Sequence, residues 1–346
     1  MATVEDTTGA RPAAEVLARA RDIAGPAVRA AVETLPPAPR AIAEYHFGWR
    51  DQDGNPAGGG GGKLFRPALA LLAADAVGGT WEAAVPAAVA VELVHNFSLL
   101  HDDVMDGDTT RRHRPTAWSV FGVGGAILAG DSLLALAFDV LAASGHPAAD
   151  DTVRGLTATV QRLIDGQSRD MAFERRGDVV LTECRAMAEA KTGALLGSAC
   201  ELGAVFGGGG AEQRADLRRF GELLGLAFQI ADDLLGIWGD PAVTGKPVHS
   251  DLRNRKKSLP VVAALSGGTP HAAELAELLA ADRPLDGAEL VRAAELVDLA
   301  GGRAWSERET AALLETALAR LRSAAPDRRA AAELALLARL ATRRDH

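Results

Sequence analysis

Apolar residues recur at spacings of three and four along most of this chain, and no run alternates as a half-buried strand does. That pattern restricts the fold to packed helices. The apolar mass is Ala, Leu and Val, with aromatics at only 4%, a balance that favours helix over strand. The periodicity predicts helices over roughly 13–34, 67–77, 84–106, 124–144, 150–173, 181–206, 211–238, 271–281, 287–300, 305–323 and 327–343. Breaks fall at PPAP near 36–39, five glycines at 58–62, four glycines at 207–210 and SGGTP at 266–270. None is long enough to be a domain linker. The expectation is one all-α domain over 41–346, with residues 1–40 a loosely attached N-terminal segment.

With 346 residues, 48% of them hydrophobic, the chain can bury a large core. A net charge of −9 argues against a nucleic-acid partner. Cys184 and Cys200 make neither a disulfide framework nor a metal spacing, which fits a reducing cytoplasm. The N-terminal MATVEDTTGARP lacks the regions of a signal peptide, and no uninterrupted apolar run reaches the ~18 residues of a membrane span. A soluble cytoplasmic protein is expected.

Within LVHNFSLLHDDVMDGDTTRRHRPT, residues 93–116, an apolar helix ends in Asp102, Asp103, Asp106 and Asp108 and turns at once to Arg111, Arg112 and Arg114. Residues four apart share a helix face, so Asp102 and Asp106 lie together with Asp103 beside them. Carboxylates this close repel one another unless a cation sits between them. Hard oxygen ligands select Mg²⁺ or Mn²⁺, and Mg²⁺ takes its remaining ligands from water and substrate phosphate. A second stretch, QIADDLLGIWGD at 229–240, repeats the logic with Asp232 and Asp233, followed by Lys246, Lys256 and Lys257. The basic residues after each acid set suit the same phosphates. A single acidic helix end is ordinarily a solvated terminus; two, each followed by cations, are not. An EF-hand from Asp102 fails at Val104 and His113, and a P-loop ending at Lys63 fails at Ala57 and Leu64.

Lysine usage supports this independently. Of 37 basic residues only Lys63, Lys191, Lys246, Lys256 and Lys257 are lysines. Arginine serves surface charge elsewhere, so these mark places where a compact, movable ammonium is useful.

The segments GKLFRP (62–67), ELVHNFSLLHDDVMDGDTTRRHRPT (92–116), GQSRD (166–170), KTG (191–193), FQIADD (228–233) and GKPVHSDLRNRKKSLP (245–260) together resemble trans-isoprenyl diphosphate synthases, most of all the prokaryotic geranylgeranyl type. The resemblance spans roughly residues 40–340. It implies a single-domain bundle of mostly antiparallel helices around a central cavity, usually in a homodimer. It implies Mg²⁺-dependent condensation of isopentenyl diphosphate with an allylic diphosphate, with a C20 product. By the same resemblance Asp102, Asp103 and Asp106, with Asp232 and Asp233, would hold Mg²⁺. Arg111, Lys191, Thr192, Gln229 and Lys246 would contact the allylic diphosphate, with Lys256 nearby. Lys63, Arg66, His95 and Arg112 would hold isopentenyl diphosphate. Chain length would be set by Phe97 and Ser98, five and four residues before the first Asp. An ideal helical wheel disagrees in part, placing His95, Ser98 and Leu99 on the acid face and Phe97 well round from it.

Departures from the family pattern are specific. The third Asp of the second motif is Gly236, and the later Asp240, eight residues after Asp232, sits ~80° around a helix from that first Asp and cannot simply replace it. A usual Gly is His113 in the first basic motif and Arg255 in the last. On this reading Gly236→Asp would restore the missing ligand and lower the Mg²⁺ requirement. Three other readings compete, of which a structural helical scaffold is the weakest because it explains neither acid cluster. A class I terpene cyclase shares the fold but has no use for Lys63, Arg66 and Arg112. A non-catalytic regulatory subunit would have lost more of its acids.

Overall fold

Helices follow the Ala- and Leu-rich periodicity nearly everywhere. The computed structural model describes residues 9–58, 62, 64–241 and 247–342. In chain order its elements are α1 (Ala13–Glu33), α2 (Pro37–His46), α3 (Phe65–Ala76), α4 (Val85–Met105), β1 (Thr110–Arg111), β2 (Arg114–Pro115), α5 (Ala117–Ala142), α6 (Ala149–Phe173), α7 (Leu181–Ala188), a π-helical turn (Glu189–Gly193), α8 (Ala194–Phe206), α9 (Ala211–Trp238), α10 (Ser250–Arg253), α11 (Leu259–Leu265), α12 (Pro270–Leu279), α13 (Gly287–Leu299), α14 (Gly302–Ser323) and α15 (Arg328–Thr342). The fold is all-α, as the sequence pattern requires.

The chain forms two compact units, each assembled from separate stretches. The first takes the described parts of Met1–Val160, Leu195–Arg218 and Arg320–Leu337; the second takes those of Gln161–Ala194, Arg219–Ala319 and Ala338–His346. No cut at residue 40 separates either of them. The expected loose N-terminal segment is instead packed from α1 onward. Val16, Ala20, Ala24 and Val32 are wholly buried in the first unit, a stripe at multiples of four that faces α3 and α4. Arg11 locks its start to the buried Glu333 at 2.6 Å.

Two elements of the first unit were not expected. The PPAP run opens a helix rather than breaking one, because proline at the first helical positions gives up only an N–H that has no partner there. Thr110–Pro115 folds as a short hairpin, with Thr110 opposite Pro115 and Arg111 opposite Arg114. Its turn residues Arg112 and His113 sit at φ 52° and 60°. Tyr45 anchors it to α2: its hydroxyl donates to the Pro115 carbonyl at 2.8 Å, and Arg114 lies 4.4 Å over its ring.

Helix α5 begins at Ala117 and is interrupted at Gly122 (φ 79°), so the expected start at 124 marks only its regular part. By length and composition it is apolar enough to cross a membrane, with mean hydropathy 1.8 in its best window. It carries Asp131 and Asp139 and packs against α2 and α4, as a core helix does.

The second unit has its own apolar centre, where Ile237, Leu252, Val261, Leu275, Leu296 and Val297 meet. Three glycines allow its backbones to approach closely. A Cβ on Gly166 of α6 would lie 2.5 Å from the Lys191 amide nitrogen, and one on Gly225 of α9 would lie 2.6 Å from the Gly193 Cα. The turn carrying Lys191 and Thr192 is thus wedged between α6 and α9, where its chain widens to a π-helical turn.

Candidate active site

Helix α4 is buried along its length, with Leu93, Val94 and Leu100 at 1% exposure or less, and surfaces only at its acidic end. The helix is still regular there, since the Asp106 amide donates to the Asp102 carbonyl at 2.8 Å. Asp102 and Asp106 therefore share a face, as the spacing predicts. The three acids are not equivalent, however. Asp103 is 2% exposed, and the Nε and Nη2 of Arg111 both lie 2.7 Å from its Oδ1. Asp106 is exposed and Asp102 half-buried. The accessible carboxylates of this set are the first and last, and the middle one fixes an arginine.

Behind Asp103 lies a cavity of about 230 Å³, lined among others by Arg111, Arg112, Arg114, His46, Tyr45 and Gly62. His95 belongs to the same neighbourhood. Burial, and then Arg66 and Arg112, hold its imidazole well below the ordinary histidine pKa. Burial also raises the carboxyl pKa of Glu92, against the pull of Arg66 and Arg112. The structure thus brings together Arg66, His95 and Arg112, the residues that the resemblance assigns to one diphosphate. The fourth, Lys63, lies outside the described residues.

In the second unit Lys191 donates to Asp170 Oδ2 at 2.6 Å. Thr192 Oγ1 donates to Gln229 Oε1 at 2.6 Å, and Gln229 Nε2 passes the chain on to Asp233 Oδ1 at 2.8 Å. The Leu259 amide, at the start of α11, donates to Asp233 Oδ2 at 2.9 Å. Asp233 is 4% exposed, and burial holds its carboxyl above the usual range. Both its oxygens are engaged from within the unit, which leaves Asp232 as the exposed acid of the pair. Each acid set therefore has the same division of labour. Lys256 lies between Asp233 (3.6 Å) and Asp251 (3.9 Å). Burial alone would lower the Lys256 pKa; Asp251 and Asp233 carry it well above the ordinary lysine value. Lys246 lies outside the described residues.

The expected repair of the second motif is corrected by geometry. A Cβ built on Gly236 would sit 2.5 Å from the Asp251 carboxylate carbon. The space in which a third aspartate would grow is filled by Asp251, fifteen residues later and delivered by α10. Gly236→Asp meets a carboxylate rather than a vacancy.

Among the described residues no three acids, histidines or cysteines are gathered closely enough to hold a metal alone. Mg²⁺ is commonly held by a few carboxylates while water and phosphate complete its shell. Half-buried Asp102 and exposed Asp106 in the first unit, and exposed Asp232 in the second, have the right donor chemistry. Phe97 is buried at 6% and packs edge-on to His101, ring centres 4.7 Å apart. Ser98 Oγ donates back to the His95 carbonyl at 2.9 Å. Helix α4 carries no irregular dihedrals that would swing Phe97 toward the acid face.

The polyprenyl synthetase family model matches residues 57–297. The chain belongs to the polyprenyl synthetase family. A polyprenyl synthetase of Streptomyces coelicolor A3(2) is 48% identical in sequence; the match covers 94% of this chain and 98% of that one, with a TM-score of 0.91. The (2E,6E)-farnesyl diphosphate synthase of Mycobacterium tuberculosis is 46% identical over 85% of this chain and 83% of its own. The geranylgeranyl diphosphate synthase of that organism is 45% identical over 95% and 93%. This polyprenyl synthetase is accordingly a prenyltransferase with the all-α isoprenoid-synthase fold, and a short-chain prenyl diphosphate synthase. Sequence reasoning passed over Tyr45 and His46. The signal was the segment EYHFGW, which holds the only tyrosine in a chain poor in aromatics.

Proposed function

We propose that this polyprenyl synthetase condenses isopentenyl diphosphate with an allylic diphosphate to give geranylgeranyl diphosphate, C20. The observation that carries the reading is the first unit's acid end: two accessible carboxylates, Asp102 and Asp106, and an arginine-lined cavity whose wall includes the paired Asp103 and Arg111. Asp102 and Asp106 of the first unit would hold Mg²⁺, as Asp232 of the second would, and the metal would supply charge neutralisation for a departing diphosphate. Arg111, held rigid by Asp103, presents its remaining N–H groups to that phosphate. In the second unit Lys191, Thr192, Gln229 and Lys246 are contacts suited to an allylic diphosphate, and Lys256 holds Asp233 and Asp251. Lys63, Arg66, His95 and Arg112 hold isopentenyl diphosphate by charge and hydrogen bonding alone. The allylic C–O bond ionises, the double bond of isopentenyl diphosphate attacks the cation, and the proton lost passes to the released diphosphate.

A C20 stop is supported by the large Phe97, the small Ser98 and the absence of any insertion in DDVMD. Farnesyl and geranylgeranyl synthases match this chain about equally well, so product length rests on those residues. A homodimer through α5 is supported by Val123 and Leu128, which stand 51% and 64% exposed on that apolar helix. Buried, unbridged Cys184 and Cys200 suit a cytoplasmic location. Incubation with labelled isopentenyl diphosphate, Mg²⁺ and each allylic primer in turn tests the reading. Linear C20 diphosphate from shorter primers supports it; C15 alone overturns the product, and a cyclic hydrocarbon or no incorporation overturns the activity.

A further inference from the structure

The hairpin that carries Arg111 and Arg112 to the cavity is too small to hold its own shape. Each strand is two residues long, and an isolated two-stranded hairpin is marginal even when longer. Its two-residue turn places Arg112 and His113 both at positive φ, 52° and 60°, where Asn and Gly are the usual occupants and larger side chains are strained. The position of the Arg112 guanidinium is therefore set by whatever grips the hairpin from outside.

Each strand has its own grip, and both lie within the first unit. Asp103 takes the first strand, with the Nε and Nη2 of Arg111 both 2.7 Å from its Oδ1. The end of α2 takes the second, through two interlocked residues. The Tyr45 hydroxyl donates to the Pro115 carbonyl at 2.8 Å. In return Arg114 lies 4.4 Å over the Tyr45 ring, its Nη1 donating to the Tyr45 carbonyl and its Nη2 to the Arg50 carbonyl, both at 3.1 Å. The base of this clamp is firm. Tyr45 is 5% exposed and meets Phe121 edge-on, ring centres 5.2 Å apart, and Arg50 is paired with Glu44 at 2.7 Å. Although both residues line the cavity, the Tyr45 hydroxyl proton and each Nη of Arg114 are already given to backbone carbonyls.

The two arginines of the hairpin consequently differ. Arg111 is fixed by a buried carboxylate at its own side chain. Arg112 stands in the strained turn and depends on the backbone that the clamp holds. We propose that Tyr45 and Arg114 are positioning residues for isopentenyl diphosphate, acting through Arg112. The inference rests on the reading of Arg112 as a ligand of that diphosphate. It makes the end of α2 part of substrate recognition without a contact to the substrate.

Steady-state kinetics on Tyr45→Phe, Arg114→Lys, Arg112→Ala and the double variant Tyr45→Phe/Arg112→Ala, with melting curves for each, tests it. Tyr45→Phe deletes one hydroxyl and keeps the ring. Arg114→Lys keeps the charge but loses the fork that serves two carbonyls at once. Each should raise KM for isopentenyl diphosphate about three- to tenfold, with the allylic KM within about twofold and kcat changed less than the KM. On an Arg112→Ala background, Tyr45→Phe should add less than about twofold, since the group it positions is gone. An unchanged KM for isopentenyl diphosphate in folded Tyr45→Phe overturns the proposal. So does a rise shared equally by both substrates, which a merely structural role predicts, or full additivity with Arg112→Ala. Should Arg114→Lys fail to fold, Tyr45→Phe and the double variant carry the test alone. Arg112→Ala separates the two levels: if its KM for isopentenyl diphosphate rises while that of Tyr45→Phe does not, only the clamp is misassigned. If Arg112→Ala leaves that KM unchanged, the reading of the site itself fails.

Discussion

Replacing Gly236 by aspartate restores the family's acid pattern on paper, and the geometry predicts that it harms this protein. The new Cβ would fall 2.5 Å from the Asp251 carboxylate carbon and 2.6 Å from its Oδ1, about an ångström inside ordinary contact. Asp251 has limited room to yield. Its side chain is 15% exposed and lies 3.9 Å from Lys256, and α10 is tied back where Ser250 Oγ donates to the Gly236 carbonyl at 3.3 Å. Overpacking of this kind costs about 1–3 kcal/mol. A second carboxylate a few ångströms from Asp251 adds repulsion on the order of 1 kcal/mol, Lys256 offsetting the rest. Exchanging glycine for aspartate in a helix returns only about 0.3 kcal/mol. The net expectation is a loss of about 2–4 kcal/mol, read as a lower melting temperature and a higher, not lower, Mg²⁺ requirement. Pairing it with Asp251→Gly should recover most of that loss, so the double-mutant cycle should show strong coupling. A stable Gly236→Asp protein with normal or improved Mg²⁺ dependence, and no coupling to Asp251, would refute the reasoning.

Asp103→Ala strips Arg111 of the carboxylate that holds it, which should cost about 3 kcal/mol and lower turnover by at least about a hundredfold; near-normal turnover at saturating Mg²⁺ would contradict that role. His113 and Arg255 stand at φ 60° and 51°, so His113→Gly and Arg255→Gly should each stabilise the chain by about 0.5–1 kcal/mol, visible as a small rise in melting temperature. Phe97→Ala should lengthen the product if Phe97 forms the floor, as sized by chromatography. Unchanged C20 output, which its packing against His101 would explain, moves the floor to Leu99.

The acid sets and their arginines were legible because the chemistry lies in residue types at helical spacing, and α4 keeps that spacing to its last turn. What stayed hidden depends on contacts between distant residues. Nothing local distinguishes the buried Asp103 and Asp233 from the half-buried Asp102 and the exposed Asp106 and Asp232; Arg111, Gln229 and the Leu259 amide make the difference. Nor does Gly236 reveal that Asp251 occupies its side-chain space. The hairpin escaped notice because its turn uses Arg112 and His113 at positive φ, where a glycine would have announced it. Helix α2 escaped because prolines read as breaks also serve as first residues. The attachment of α1 rests on burial against α3 and α4, which its own amphipathic stripe only hints at.

The central claim is that two diphosphates are held by different physics, one through Mg²⁺ on carboxylates and the other by arginine and histidine side chains directly. Calorimetric titration of the intact protein with isopentenyl diphosphate, and separately with an allylic diphosphate, in excess chelator and then in Mg²⁺, measures this most directly. The account predicts that isopentenyl diphosphate binds with or without Mg²⁺, and that the allylic diphosphate binds only when Mg²⁺ is present. Binding of isopentenyl diphosphate that vanishes in chelator, or allylic binding that survives it, would contradict the account.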